Sequence, residues 1–206
     1  YLLGEIKDDE NKNIRYEWRA NRFAKRLIQN EFKEKNITKD GKDTKIYYVE
    51  IPMVKDHANI RVSKFKPYVR KYAKEYGISE NLIYSIIQTE SNFNQFAVSS
   101  AGAFGLMQIV PSSAGRDAYE FSKGKSWTPS KSYLFDAQNN IEMGSAYLKL
   151  LNVKYLDGIY NPISKEYCVI SAYNTGSGNV LKAFSSNRNK AKNMINKQTP
   201  SEVYNT

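Results

Sequence analysis

Cysteine and histidine are almost missing: the 206 residues hold one of each, Cys168 and His57. A single cysteine excludes an internal disulfide and every paired-cysteine metal spacing, and a single histidine leaves no imidazole set for zinc. No metal and no other cofactor is expected. Cys168 sits between Tyr167 and Val169 in an apolar run, far in sequence from His57, which suits a buried, inert thiol better than a nucleophile. His57 follows Asp56 in a polar stretch and reads as solvated. Long apolar runs are missing too, and nothing approaches the ~20 residues that a membrane-spanning helix needs. No repeat or low-complexity segment appears. The sequence starts at Tyr1 with neither Met nor an export signal pattern, so it reads as an excerpt whose targeting segment would lie upstream.

Acidic residues are the minority, 21 against 31 Lys and Arg, and the imbalance is local. Residues 1–60 carry 13 basic and 11 acidic side chains, residues 61–206 carry 18 and 10, so the two stretches differ as +2 and +8. A basic surface attracts polyanions in general. No Lys/Arg block is interleaved with aromatics, so nucleic acid is not expected as a partner. Peptide carboxylates, anionic lipids and a plain solvated face all remain open.

Aromatics make up 13% of the chain, led by 16 Tyr, and this apolar content is enough for a folded core. Residues 14–35 carry Ile14, Trp18, Leu27, Ile28 and Phe32 at helical spacing, and Thr38, Asp40 and Gly41 mark a turn. Lys45–Ile51 alternates like a strand until Pro52. One helix and one strand do not make a domain, so residues 1–52 read as the C-terminal part of an upstream α+β module, followed by a linker over 53–66. From Pro67, placed as a first helical residue, the pattern is mainly α. Val69, Tyr72, Ala73 and Tyr76 form one stripe closed by Gly77. Ser79 then precedes a helix with Leu82, Ile83, Ile86 and Ile87 on its apolar face, and Asp136 caps a long helix running to Tyr155 and Gly158. Tyr167–Tyr173 is apolar and leads through Gly176 and Gly178 to a short helix with Val180, Leu181 and Phe184.

Glu90 is the most informative acid. Positions 83, 87 and 90 share a helix face, which directs Glu90 inward, and it falls near the helix C-terminus, where the macrodipole disfavours a carboxylate. Both effects raise its pKa and favour a proton donor. On that residue alone, a buried glutamate held by hydroxyls for structural reasons reads equally well. The following residues shift the balance: Ser91 to Gln108 form a loop of amides, hydroxyls and glycines, the groups that replace water around sugars. That loop holds no second acid before Asp117, although Asp117, Asp136 or Glu142 stand ready in sequence to fold back.

Four motifs in order carry a resemblance: Glu90-Ser91 with Phe93, Ala97 and Ser99; Gly102-Ala103 with Gly105-Leu106-Met107-Gln108; Asn140-Ile141 with Gly144 and Tyr147-Leu148; and Ala172-Tyr173-Asn174 with Gly176 and Gly178. Together they resemble the family 1 lytic transglycosylases, whose fold is that of goose-type lysozyme. Further stretches, among them Ile51–Val54, Tyr133–Asp136, Tyr155–Pro162 and Thr199–Tyr204, are similar to one membrane-bound branch of that family. The resemblance implies a lysozyme-like α-helical catalytic domain over 67–206. It implies cleavage of the β-1,4 bond between N-acetylmuramic acid and N-acetylglucosamine in peptidoglycan without water, leaving a 1,6-anhydro end. Glu90 would be the single acid and base, with Ser91, Ser99, Met107, Gln108, Tyr173 and Asn174 about the glycan. From the residues alone, Phe104 and Met107 suit pocket lining or core equally. The resemblance also implies a monomer in the periplasm, held at the outer membrane by a lipid anchor upstream, and a further groove-closing segment beyond Thr206.

Overall fold

The computed structural model describes residues 3–39 and 41–206; Asp40, assigned above to a turn, lies outside them. The chain divides into two compact units, Tyr1–Lys64 and Phe65–Thr206.

In the first unit, α1 (Glu17–Asn30) buries Phe23 and Leu27, one turn apart on its apolar stripe. The helix is shorter than its sequence pattern suggests, because residues 33–39 form a strand. β1 (Lys33–Lys39) and β2 (Lys42–Tyr48) pair antiparallel from Lys33 opposite Tyr48 to Lys39 opposite Lys42. Almost every side chain of this hairpin is exposed. A strand without a buried face shows no apolar alternation, so β1 escapes a periodicity reading. Phe32 and Tyr47 stack at 5.3 Å, and Lys45 meets Glu34 at 3.2 Å across the strands.

Residues 57–64 also differ from expectation. They are the first turns of α2 (His57–Tyr76), and Arg61 and Lys64 reach back to the fully enclosed carboxylate of Glu5 at 2.6 and 2.7 Å. A buried carboxylate needs such partners, and this one draws residues 57–64 into the first unit rather than leaving them as linker. Pro67 consequently lies inside α2, not at its start.

The second unit is all helix and loop: the remainder of α2, then α3 (Glu80–Ser91), α4 (Arg116–Lys123), α5 (Lys131–Phe135), α6 (Ala137–Leu150), α7 (Pro162–Thr175), α8 (Ser177–Phe184), α9 (Arg188–Lys197) and α10 (Pro200–Tyr204). Single π-helical turns precede α4 and follow α6. α6 is the centre. Ile141, Met143, Ala146 and Leu148 are wholly enclosed although they point in different directions, as in a helix covered on all sides, and α4, α5 and α7 pack around it. Asp136 caps α6 through the Asn139 amide, as its sequence position predicts, whereas Ser79 precedes α3 without a side-chain cap.

Candidate active site

α3 delivers Glu90 one residue before its end, and the backbone then turns at some cost. Asn92 and Phe93 both take left-handed conformations, φ 48° and 60°, and Gln108 does the same at 47°. Among the described residues only Asn11 joins them as a non-glycine with positive φ. A bulky residue such as Phe tolerates this region poorly, so the strain marks a segment held by its surroundings. Phe93 is nearly enclosed, stacks on Phe65 at 6.3 Å and tilts against Tyr84 at 6.4 Å.

The loop after Glu90 is organised by one buried amide of the third motif. Asn140, fully enclosed on α6, accepts the Met107 N–H at 2.7 Å and donates to the carbonyls of Leu134 and Phe104 at 2.8 and 2.9 Å. Gly105 is required against it. With φ 79°, a Cβ there would come 2.3 Å from the Asn140 amide nitrogen and 2.4 Å from the Leu134 carbonyl. Gly144 on the next turn of α6 makes room for Met107, whose sulfur would be 2.2 Å from an added Cβ. The second and third motifs are thus two sides of one contact.

Each expected site residue now has a place. Glu90 is half-buried, and burial raises its pKa. Tyr173, from α7, donates to the Met107 carbonyl at 2.8 Å. Its own pKa is pushed well up, first by burial, then by the nearby Glu90 charge and by Tyr147. Glu90, Tyr173 and the 104–108 loop are therefore neighbours. The Ser91 hydroxyl lies 3.0 Å from the Ile87 carbonyl and 2.7 Å from that of Leu106, tying the helix end to the loop. Ser99 accepts the Ala103 N–H at 3.0 Å, which leaves its hydroxyl proton unassigned. Gln108 donates to the Gly105 and Ala97 carbonyls, which leaves its side-chain oxygen without a hydrogen bond among the described residues. Asn174 is exposed, and its side chain makes no hydrogen bond among the described residues. The Met107 side chain is fully enclosed, so of the two readings above it is core, and only its backbone carbonyl reaches toward Tyr173. Phe104 is half-buried edge-on to Phe135, with the Lys131 ammonium 5.7 Å from its ring.

The three acids that stood ready to fold back have other partners. Asp136 caps α6, Glu142 pairs with Lys123 and Tyr72, and Asp117 accepts the Tyr155 hydroxyl at 2.8 Å. Burial is the one cause behind the shift of Glu90. Tyr147 of the third motif meets Tyr173 edge-on at 5.8 Å, and its own pKa is raised by burial and then by Asp117. The thiol of Cys168 is buried, and that burial pushes its pKa up to about 11, in keeping with an inert side chain. No group of His, Cys, Asp and Glu among the described residues is arranged to hold a metal.

The family described as the transglycosylase SLT domain matches residues 67–196, the stretch that contains every residue of this site. The chain belongs to the transglycosylase SLT family. Residues 1–64 of this SLT protein match a second family, the N-terminal domain of membrane-bound lytic murein transglycosylase C. Relatives with that full name are 48% identical in Klebsiella pneumoniae and 46% in Yersinia enterocolitica, over all 206 residues here. The chain spans 56% of the length of these relatives. A solved structure of an inactive mutant of the lytic transglycosylase Slt from Pseudomonas aeruginosa aligns at TM-score 0.49 and 25% identity, covering 68% of this chain and 22% of that one.

Proposed function

We propose that this SLT chain is a lytic transglycosylase acting on peptidoglycan glycan strands, with Glu90 as sole acid and base. The observation that carries it is a half-buried glutamate whose pKa is raised by burial alone, beside Tyr173 and a preorganised polar loop. Protonated Glu90 gives its proton to the glycosidic oxygen as the bond to the muramyl C1 breaks. The resulting carboxylate takes the proton of the muramyl C6 hydroxyl as that oxygen bonds to C1, so atoms balance without water and Glu90 is regenerated. The substrate's acetamido group supports C1 in place of a second enzyme carboxylate, which ordinary hydrolysis would need. Ser99, the Gln108 side-chain oxygen and Asn174 bind the sugars, while Tyr173, fixed by Met107, orients Glu90.

The relatives' designation as membrane-bound supports a periplasmic enzyme held at the outer membrane by a lipid anchor; we read it as a monomer. No helix among the described residues is long and apolar enough to cross a membrane.

Mass spectrometry of digested glycan tests the reaction. A 1,6-anhydromuramyl end is expected, and a reducing muramyl end would replace this reading by muramidase hydrolysis. Glu90→Gln should lower turnover by about 10²–10⁴-fold with an unchanged circular dichroism spectrum; retained activity would remove Glu90 from the mechanism. Because the donor must be protonated, kcat/KM should fall as pH rises through the raised pKa of Glu90. Stability follows the same sign: a carboxyl raised by folding contributes fully below its unfolded pKa, and its contribution is lost as pH rises through the folded value.

A further inference from the structure

We infer that the face formed by α9 and the segment before α7 is a docking surface for an anionic phospholipid bilayer. From Tyr167 to Ser201 the chain contains no acidic residue but five cations, Lys182, Arg188, Lys190, Lys192 and Lys197. None of the five has an ion-pair partner among the described residues, and all but Lys192 are exposed. Helix stability accounts for Lys182 and Lys197, each in a last turn, but not for the first two cations of α9. Arg188 and Lys190 occupy the first turn of α9, where the macrodipole disfavours positive charge.

Beside these cations stand exposed apolar groups. Tyr160 is 83% exposed, Ile163 50% and Met194 44%. Asn196 of α9 ties the first of these to that helix: its side chain accepts the Tyr160 N–H at 2.9 Å and donates to the Gly158 carbonyl at 2.8 Å. The stem of Lys192 also passes close to Gly158. The Tyr160 backbone is thus tethered to α9 on the side of Lys192, and its ring is open to solvent.

This combination favours a bilayer over the carboxylates of a cell-wall peptide. Soluble carboxylates need the cations alone, whereas a headgroup layer also accepts a tyrosine ring and aliphatic side chains between lysines whose stems lie along it. The surface is separate from Glu90, and the inference does not depend on the proposed reaction.

Co-sedimentation of the chain with vesicles tests it. Binding to vesicles containing phosphatidylglycerol, with little binding to phosphatidylcholine alone and weakening in added salt, is expected. Lys190→Glu with Lys197→Glu should lower the partition coefficient at least about tenfold, since each cation near such a surface is worth about fivefold. Tyr160→Ser with Ile163→Ser should lower it several-fold at unchanged net charge. Both double variants alter exposed positions and should keep the wild-type cleavage rate on soluble glycan. Lys25→Glu with Lys42→Glu, the same charge change on the first unit, should have the smaller effect. An equal loss with this control, absence of binding to the anionic vesicles, or an effect of the α9 variants confined to purified peptidoglycan would each overturn the assignment.

Discussion

In the first unit the enclosed carboxylates Glu5 and Asp8 each face two cations, whereas in the second the enclosed helix α6 presents more apolar than polar side chains and one enclosed carboxylate, Glu142, with the single cation Lys123. Asp8 accepts the amides of Glu10 and Lys12 and pairs with Arg19 and Arg22. Burial alone would raise its pKa, but these partners outweigh it and hold the group far below the usual carboxylate range. Apolar burial, by contrast, is insensitive to pH. The first unit leans more on matched charges and the second more on matched shapes, so they should fail under different insults. The chain has two tryptophans, Trp18 in the first unit and Trp127 in the second, so Trp127→Phe and Trp18→Phe let fluorescence follow each unit separately.

The largest effect expected is on shape. Gly105→Ala combines a positive-φ penalty with a Cβ driven into Asn140 and a carbonyl, and should cost the second unit about 4 kcal/mol or more in urea unfolding. A loss below about 1 kcal/mol would mean that the loop has another arrangement. Asn140→Ala strands the Met107 N–H and two carbonyls, for about 2–4 kcal/mol, and should lower kcat as the loop holding Tyr173 loosens. Smaller still is the acid response. A lowered carboxyl stabilises above its unfolded pKa and loses that contribution as pH falls through the folded value. Trp18 should therefore report unfolding at a higher pH than Trp127 during acid titration, and Asp8→Asn should abolish most of that difference. At the low end, Lys33→Ala breaks only the exposed pair with Glu50 and should leave both transitions where they were.

The same contrast explains what the sequence made legible. Helices α2 and α3 announce themselves because each buries a stripe, as Ile83, Ile86 and Ile87 do on α3, whereas α4, α5, α9 and α10 stay unread in the sequence. β1 gives no such signal: Lys33-Glu34-Lys35-Asn36 has no buried face to betray its period. The role of residues 57–64 was hidden for a related reason, since their partner Glu5 lies more than fifty positions away. Glu90 was legible as an inward-facing acid because its helix is regular up to that point. Asn140 was not, because its three bonds reach backward over 6, 33 and 36 positions, and a buried amide within an apolar helix has no local pattern. Ser91 reads as a sugar ligand by type, yet its distances place it between backbone carbonyls.

The hydrogen bond from the Met107 amide to Asn140 gives the site a clock of its own. This N–H belongs to no helix or strand and would normally exchange with solvent within seconds, but it is enclosed and bonded to a side chain. Its deuterium uptake should report how often the 104–108 loop detaches from α6. Under the proposed reaction, an opening much rarer than turnover would mean that glycan enters over a closed loop, and one that keeps pace with turnover that the loop itself admits the strand.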